Sequence, residues 1–147
     1  MDVLNVKTSD IGTGIPKQVV SYLQKHPDTK YVVCQFGDIF TGVPQALKTA
    51  GLDSQVKLID DAGSPVNFQY IKKGQEFATV GSFIDVLSWQ TADQTAKIMG
   101  GQKFEEPVYP TQLMFKKDIT FDTNGQPPFG DPAWKDRFRQ LWSQASS

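Results

Sequence analysis

Short apolar runs alternate along this chain with longer stretches in which apolar residues recur every three or four positions. The runs Val3–Val6, Tyr31–Phe36, Val56–Ile59, Phe77–Gly81 and Thr111–Phe115 are too short for helices and read as β-strands. Between them, Ile15, Val19, Tyr22 and Leu23 define one helical face, and Val43, Leu47 and Ala50 define another. Trp89, Ala92, Ala96 and Met99 mark a helix over 84–99, and Trp134, Phe138, Leu141 and Trp142 mark a last one. Strands alternating with helices predict crossover connections and therefore a parallel sheet. The expected fold class is three-layer α/β, a mostly parallel sheet flanked by helices. Tyr31–Phe36 is expected to be a strand buried on both faces, as central parallel strands are.

The turns between these runs carry specific chemistry. Thr13 or Asp10 can cap the first helix, with Pro16 in its first turn, and His26-Pro27-Asp28 closes it, because the residue before a proline leaves the helical region. Gly51 stops the second helix. The stretch Val56–Ser82 holds a full crossover unit: strand, acidic turn, helix, glycine, strand. Ser64 can cap that helix, Pro65 suits its first position, and Gly74 can end it in a left-handed conformation. Gly100-Gly101 ends the helix over 84–99. Asp122–Asp131 (DTNGQPPFGD) is a turn-rich connector, and Asp131 and Pro132 can start the final helix. Ligands of parallel sheets bind outside the carboxyl ends of the strands. That rule points at Asp60, Asp61 and Ala62 after one strand and at Gly81, Ser82 and Phe83 after the next.

Three segments carry a family resemblance. VKLIDDAGSPVNFQYIKKGQEFATVGS has the order apolar strand, acidic turn, G-[ST]-P, helix, K-x-G and x-x-A-T-[VI]. YVVCQFGDIFTGVPQALKTAG has a strand, a polar loop and an A-L-x-x-A-G helix. TADQTAKIMGG is a helix ending in a glycine pair. In this order and spacing they resemble the second lobe of type I periplasmic sugar-binding proteins, the solute receptors of ABC importers, which share a fold with LacI-type repressor effector domains. The resemblance covers most of residues 2–120 and implies a chain that is the C-terminal part of a two-lobed receptor. It implies a C-terminal-lobe α/β domain over 1–82 and 107–121, a helix over 83–106 belonging to the other lobe, and a C-terminal extension with a helix over 122–147. It places hinge crossings near Ser82, near Pro107–Pro110 and around Ile119–Phe121. The apolar face of helix 84–99 would then lack a partner, which leads us to expect self-association through it.

With 15 basic and 16 acidic residues in 147, the net charge of -1 lacks the basic excess of a nucleic-acid footprint. No apolar run approaches the ~20 residues of a membrane span. No signal-peptide pattern follows Met1, so the extracytoplasmic location of the intact protein is implied by the resemblance alone. The single cysteine, Cys34, excludes an internal disulfide and reads as a buried thiol. Lone His26, at a helix end, reads as a dipole partner. No Walker loop, dinucleotide fingerprint, metal-ligand cluster or nucleophile–base set is present. We therefore expect neither an enzyme nor a cofactor.

The candidate ligand-binding residues are Phe36, Asp38, Asp60, Asp61, Ser82 and Phe83. Asp60 and Asp61 can accept hydrogen bonds from sugar hydroxyls; the bland alternative is a capping or solvated pair. Asp38 has the same capacity, against a role as N-cap of a helix starting near Phe40. Phe36, Phe40, Phe83 and Trp89 could stack on the apolar face of a sugar or pack in the core, the latter favoured for Trp89. The resemblance puts the family's acidic contact at Ala62, its Asn-Asp pair at Phe36 and Gly37, and an amide side chain at Ser82. These departures suggest a pocket less polar than the family standard. The implied partners are a small carbohydrate and, for the intact protein, an ABC permease. Two other readings stay open: a repressor effector domain, and a stand-alone flavodoxin-like domain.

Overall fold

The computed structural model describes residues 2–82, 84–106, 111–124 and 133–144. Helix α1 spans Gly14–Lys25 and is followed by β1 (Tyr31–Cys34), α2 (Val43–Thr49), β2 (Lys57–Asp61), α3 (Pro65–Lys73) and β3 (Ala78–Ser82). Then come α4 (Ile84–Met99), β4 (Thr111–Phe115) and α5 (Trp134–Gln144). The four strands form one sheet in the order β1-β2-β3-β4. β1 pairs β2 and β2 pairs β3, both in parallel, with Cys34 opposite Asp60 and Asp60 opposite Thr79. The fold is therefore α/β with a mostly parallel sheet, as the alternation predicts.

The chain divides into two compact units, Met1–Gly81 with Leu113–Gly125, and Ser82–Gln112 with Gln126–Ser147. In the first, Ile15, Val19 and Leu23 of α1 meet Val43 and Leu47 of α2 over Leu58 of β2, with Phe40 and Val56 completing the core. Alternation within a strand sends neighbours to opposite faces. Val32 and Cys34 pack on this core, while Tyr31 and Val33 stay 55% and 69% exposed. Tyr31–Phe36 is thus shorter than expected and covered on one face only, since no described element packs over Tyr31 and Val33.

Val3–Val6 forms no strand: Val3 is 74% exposed, and of this run Val6 packs on the core. At the start of α1, Thr13 occupies the cap position, but its hydroxyl donates to the Asp10 carbonyl (3.2 Å) and caps no helical amide. At its end, the imidazole of His26 stacks on Tyr22 at 4.2 Å. In α3 the punctuation holds. Ser64 is the cap, Pro65 opens the helix, and Gly74 closes it at φ 73°.

In the second unit, α4 and α5 join through aromatic rings. Trp89 stacks on Trp142 (5.1 Å between centroids, 12° between planes) and meets Trp134 edge-on at 5.3 Å. Trp142 Nε1 donates to Asp93 (3.0 Å), which also pairs with Lys97 at 3.0 Å. The buried side of α4 is therefore Val86, Trp89 and Asp93, whereas Ala92, Ala96 and Met99 are exposed. Both stripes contain Trp89 at helical spacing. The large indole contacts decide between them, since alanines have little area to bury. Of the face expected to lack a partner, α5 covers Trp89 alone, and Ala92, Ala96 and Met99 stay bare. Asp131 and Pro132, expected to start α5, lie outside the described residues, as does most of the 122–131 connector.

Candidate functional site

The loops after β1 and β2 leave the carboxyl ends of adjacent parallel strands, so they stand side by side. After β1, Phe36 is extended (φ -155°) and half-buried, and a single 3-10 turn, Gly37–Phe40, follows. Phe40 points fully into the core, which settles its reading as packing. Asp38 is exposed in that turn. It does not cap α2, whose cap position is Gly42 in the left-handed region (φ 80°).

After β2, Asp60 and Asp61 part company. Asp61 is exposed, and its carboxylate accepts the Ala62 amide at 2.9 Å. Ala62 holds φ 55°, a strained value for a residue with a Cβ. Asp60 is 1% exposed and turned inward, where it accepts the Thr79 hydroxyl. It presents no carboxylate to the surface. Ser82 is half-buried at the end of β3, and Phe83 lies outside the described residues.

Three residues that sequence reading did not single out organise this end of the sheet: Asn67, Glu76 and Thr79. Asn67 is fully buried at the first turn of α3. Its Oδ1 accepts the Ser64 amide (3.0 Å) and hydroxyl (2.8 Å). Its Nδ2 donates to the Gly37 carbonyl (3.0 Å) and to Glu76 Oε2 (3.1 Å). One carboxamide thus ties the loop after β1, the loop after β2 and the segment before β3. Gly37 makes room for it, since a Cβ there would lie 2.1 Å from Asn67 Oδ1; Gly63 makes room instead for Thr79, whose Oγ1 would lie 2.2 Å from a Cβ. Asn67 stands three residues after the Ser64 cap, a capping-box position that sequence could have flagged. Nothing local marks Glu76.

Glu76 is 3% exposed and stands beside Asp60. Burial pushes its carboxyl up to about 10, and the hydrogen bond and charge of Asp60 add to the rise. Burial likewise raises Asp60, against the hydrogen bonds from Glu76 and Thr79. The Cys34 thiol is pushed up by burial and by Asp60 and Glu76, and it donates to the Phe36 carbonyl at 3.2 Å. It is a poor nucleophile for that reason. Among the described residues, no group of three or more His, Cys, Asp or Glu side chains is placed to hold a metal ion. No described helix is long and apolar enough to cross a membrane. A depression of about 560 Å³ lies between α1 and α2, floored by Pro16, Val20 and Ala46, away from these loops.

No protein-family model matches the chain, and no curated protein matches it. Solved structures do. An ABC-transporter solute-binding protein from Agrobacterium vitis with bound D-fucose superposes with a TM-score of 0.69 at 19% identity, over 83% of this chain and 43% of that one. The Caulobacter myo-inositol binding protein bound to myo-inositol gives 0.61 at 24% identity, over 74% of this chain and 40% of that one. A periplasmic solute-binding protein from Actinobacillus succinogenes with bound D-allose gives 0.64 at 17%, over 72% and 37%. The chain has the α/β fold of ABC-transporter solute-binding proteins and spans less than half the length of each of these three. The fold that the sequence resemblance implies is the fold found.

Proposed function

We propose that this chain carries one half of a clamp-type binding site for a small carbohydrate, within an extracytoplasmic receptor of an ABC importer. Binding is non-catalytic, and closure of two lobes about a hinge completes the grip. In this reading Asp38 and Asp61 accept sugar hydroxyls and Phe36 offers an apolar face, with Ser82 and Phe83 as further ligand contacts. Asp60 supports these contacts from beneath. The observation that carries the proposal is Asn67: its four hydrogen bonds hold two adjacent strand-end loops in one arrangement, each presenting an exposed carboxylate. The likeness to sugar-bound receptors supports the ligand class. The bare Tyr31–Val33 side of the sheet supports the view that more protein packs on this unit in an intact receptor, since parallel sheets are normally covered on both faces.

Half a site holds half the contacts, so affinity should be in the millimolar range, about -4 kcal/mol. Amide chemical-shift titration with a panel of pentoses, hexoses and cyclitols tests this. We expect shifts at Phe36, Asp38, Asp61, Ala62 and Ser82. Shifts confined to the α1–α2 depression, or none with any sugar, would refute the ligand reading. Helix α4 leaves Ile98 and Met99 52% and 84% exposed, and we include self-association through 84–99 in the proposal. Sedimentation velocity across a dilution series should show a reversible dimer that Met99→Lys weakens; a monomer throughout excludes it.

A further inference from the structure

Two carboxylic acids lie in contact at the root of the loop face. Asp60 and Glu76 are 1% and 3% exposed, and among the described residues neither forms an ion pair with a lysine or arginine. Each has one oxygen satisfied, by Thr79 Oγ1 in one case and Asn67 Nδ2 in the other. The other oxygens, Asp60 Oδ2 and Glu76 Oε1, are buried without a partner among the fixed donors. The surroundings are acidic. Asp38 from the loop after β1 and Asp61 from β2 both bear on Asp60, and the Cys34 thiol of β1 lies against the pair. Two buried carboxylates in contact cannot both ionise without a nearby cation. A proton held between them supplies the missing donor.

We propose that Asp60 and Glu76 share one proton and act as positioning residues for the ligand-contacting loops, the proton acting as the latch that keeps Asn67 tied to Gly37 and Ser64. With the proton in place, Glu76 donates to Asp60 and accepts from Asn67, and the strand-end loops are locked. When the proton leaves, two like charges meet in the interior. Glu76 withdraws from Asp60, Asn67 loses the partner that orients its carboxamide, and the Gly37 and Ser64 loops come apart. The bearing of this latch on ligand affinity rests on the sugar-binding reading above. The proton count itself does not.

The test is carboxyl-carbon NMR of Glu76 and Asp60 across pH on the full chain, with the amides of Gly37, Gly63 and Ser64 followed in the same samples. We expect one proton to stay on the pair through neutral pH and to leave only on the alkaline side, with the three loop amides moving in the same step. Glu76→Gln is isosteric, donates to Asp60 and accepts from Asn67 without a titrating proton. It should keep the loop amides in their wild-type positions at neutral pH, abolish the alkaline step and raise the melting temperature at pH 8–9. If both carboxyls titrate in the ordinary acidic range, the latch is refuted. It is equally refuted if Glu76→Gln displaces the loops as much as Glu76→Leu does. The wild-type titration decides even if the variants do not fold. A latch that titrates as described in a chain that answers to no sugar would sink the ligand reading and leave the latch standing.

Discussion

Gly37→Ala is expected to cost about 3–5 kcal/mol of stability, among the largest effects of any single methyl in this protein. The new Cβ would sit 2.1 Å from Asn67 Oδ1 and 2.6 Å from its Cγ. A flexible surface side chain could swing away, but Asn67 is fully buried and held by four hydrogen bonds. Overpacking a filled interior costs ~1–3 kcal/mol. Forcing Asn67 aside also strands buried donors and acceptors at Ser64, Gly37 and Glu76, at roughly 1–3 kcal/mol for each group left unpaired. Gly51 makes the control. It holds φ 70° with no atom within 4 Å of a built Cβ, so Gly51→Ala should cost only the left-handed strain, about 1–2 kcal/mol. Urea unfolding of both variants separates the two mechanisms. Equal, mild losses would mean that Asn67 does not rest against Gly37 in solution.

The elements of this fold are legible because they are local. Ser64, Pro65 and Gly74 delimit α3, and the apolar run at Thr111–Phe115 gives β4 to the residue. What stays hidden depends on which element neighbours which. A period of two tells that Tyr31 and Val33 share a face, but whether another element covers that face is a tertiary fact, and here none does among the described residues. Helical spacing puts Trp89 on two possible stripes, and the partner chosen, α5, is a tertiary fact. The acidic turn shows the same boundary from the other side. Asp60 and Asp61 are adjacent in a strand, so one of them must face inward. Asp60 shares parity with Leu58, which is 2% exposed, and that signal was available in the sequence. The partner that makes burial of Asp60 tolerable, Glu76, is supplied by a segment sixteen positions away through the strand pairing, and no local pattern announces it.

Trp89→Ala should release α5 from α4, the second large effect. The described join between them is aromatic: Trp89 touches Trp134, Phe138 and Trp142, with the Arg139 guanidinium 5.8 Å from its ring. Truncating a packed tryptophan costs ~3–5 kcal/mol. With only 11 residues, α5 is too short to stay helical in water once undocked. Loss of the stack also frees the Trp142 indole from Asp93, so the polar tie goes with the apolar one. The expected readout is a loss of near-ultraviolet circular dichroism and of amide protection over 134–144. The amides of Ile15, Leu23 and Leu58, in the other unit, should keep their protection, because their core contains no residue of α4 or α5. Ala96→Ser, on the exposed side of the same helix, should stay within about 0.5 kcal/mol of wild type. If α5 keeps its protection in Trp89→Ala, then contacts other than this indole hold it. Protection lost from both units at once would mean that the two cores unfold as one.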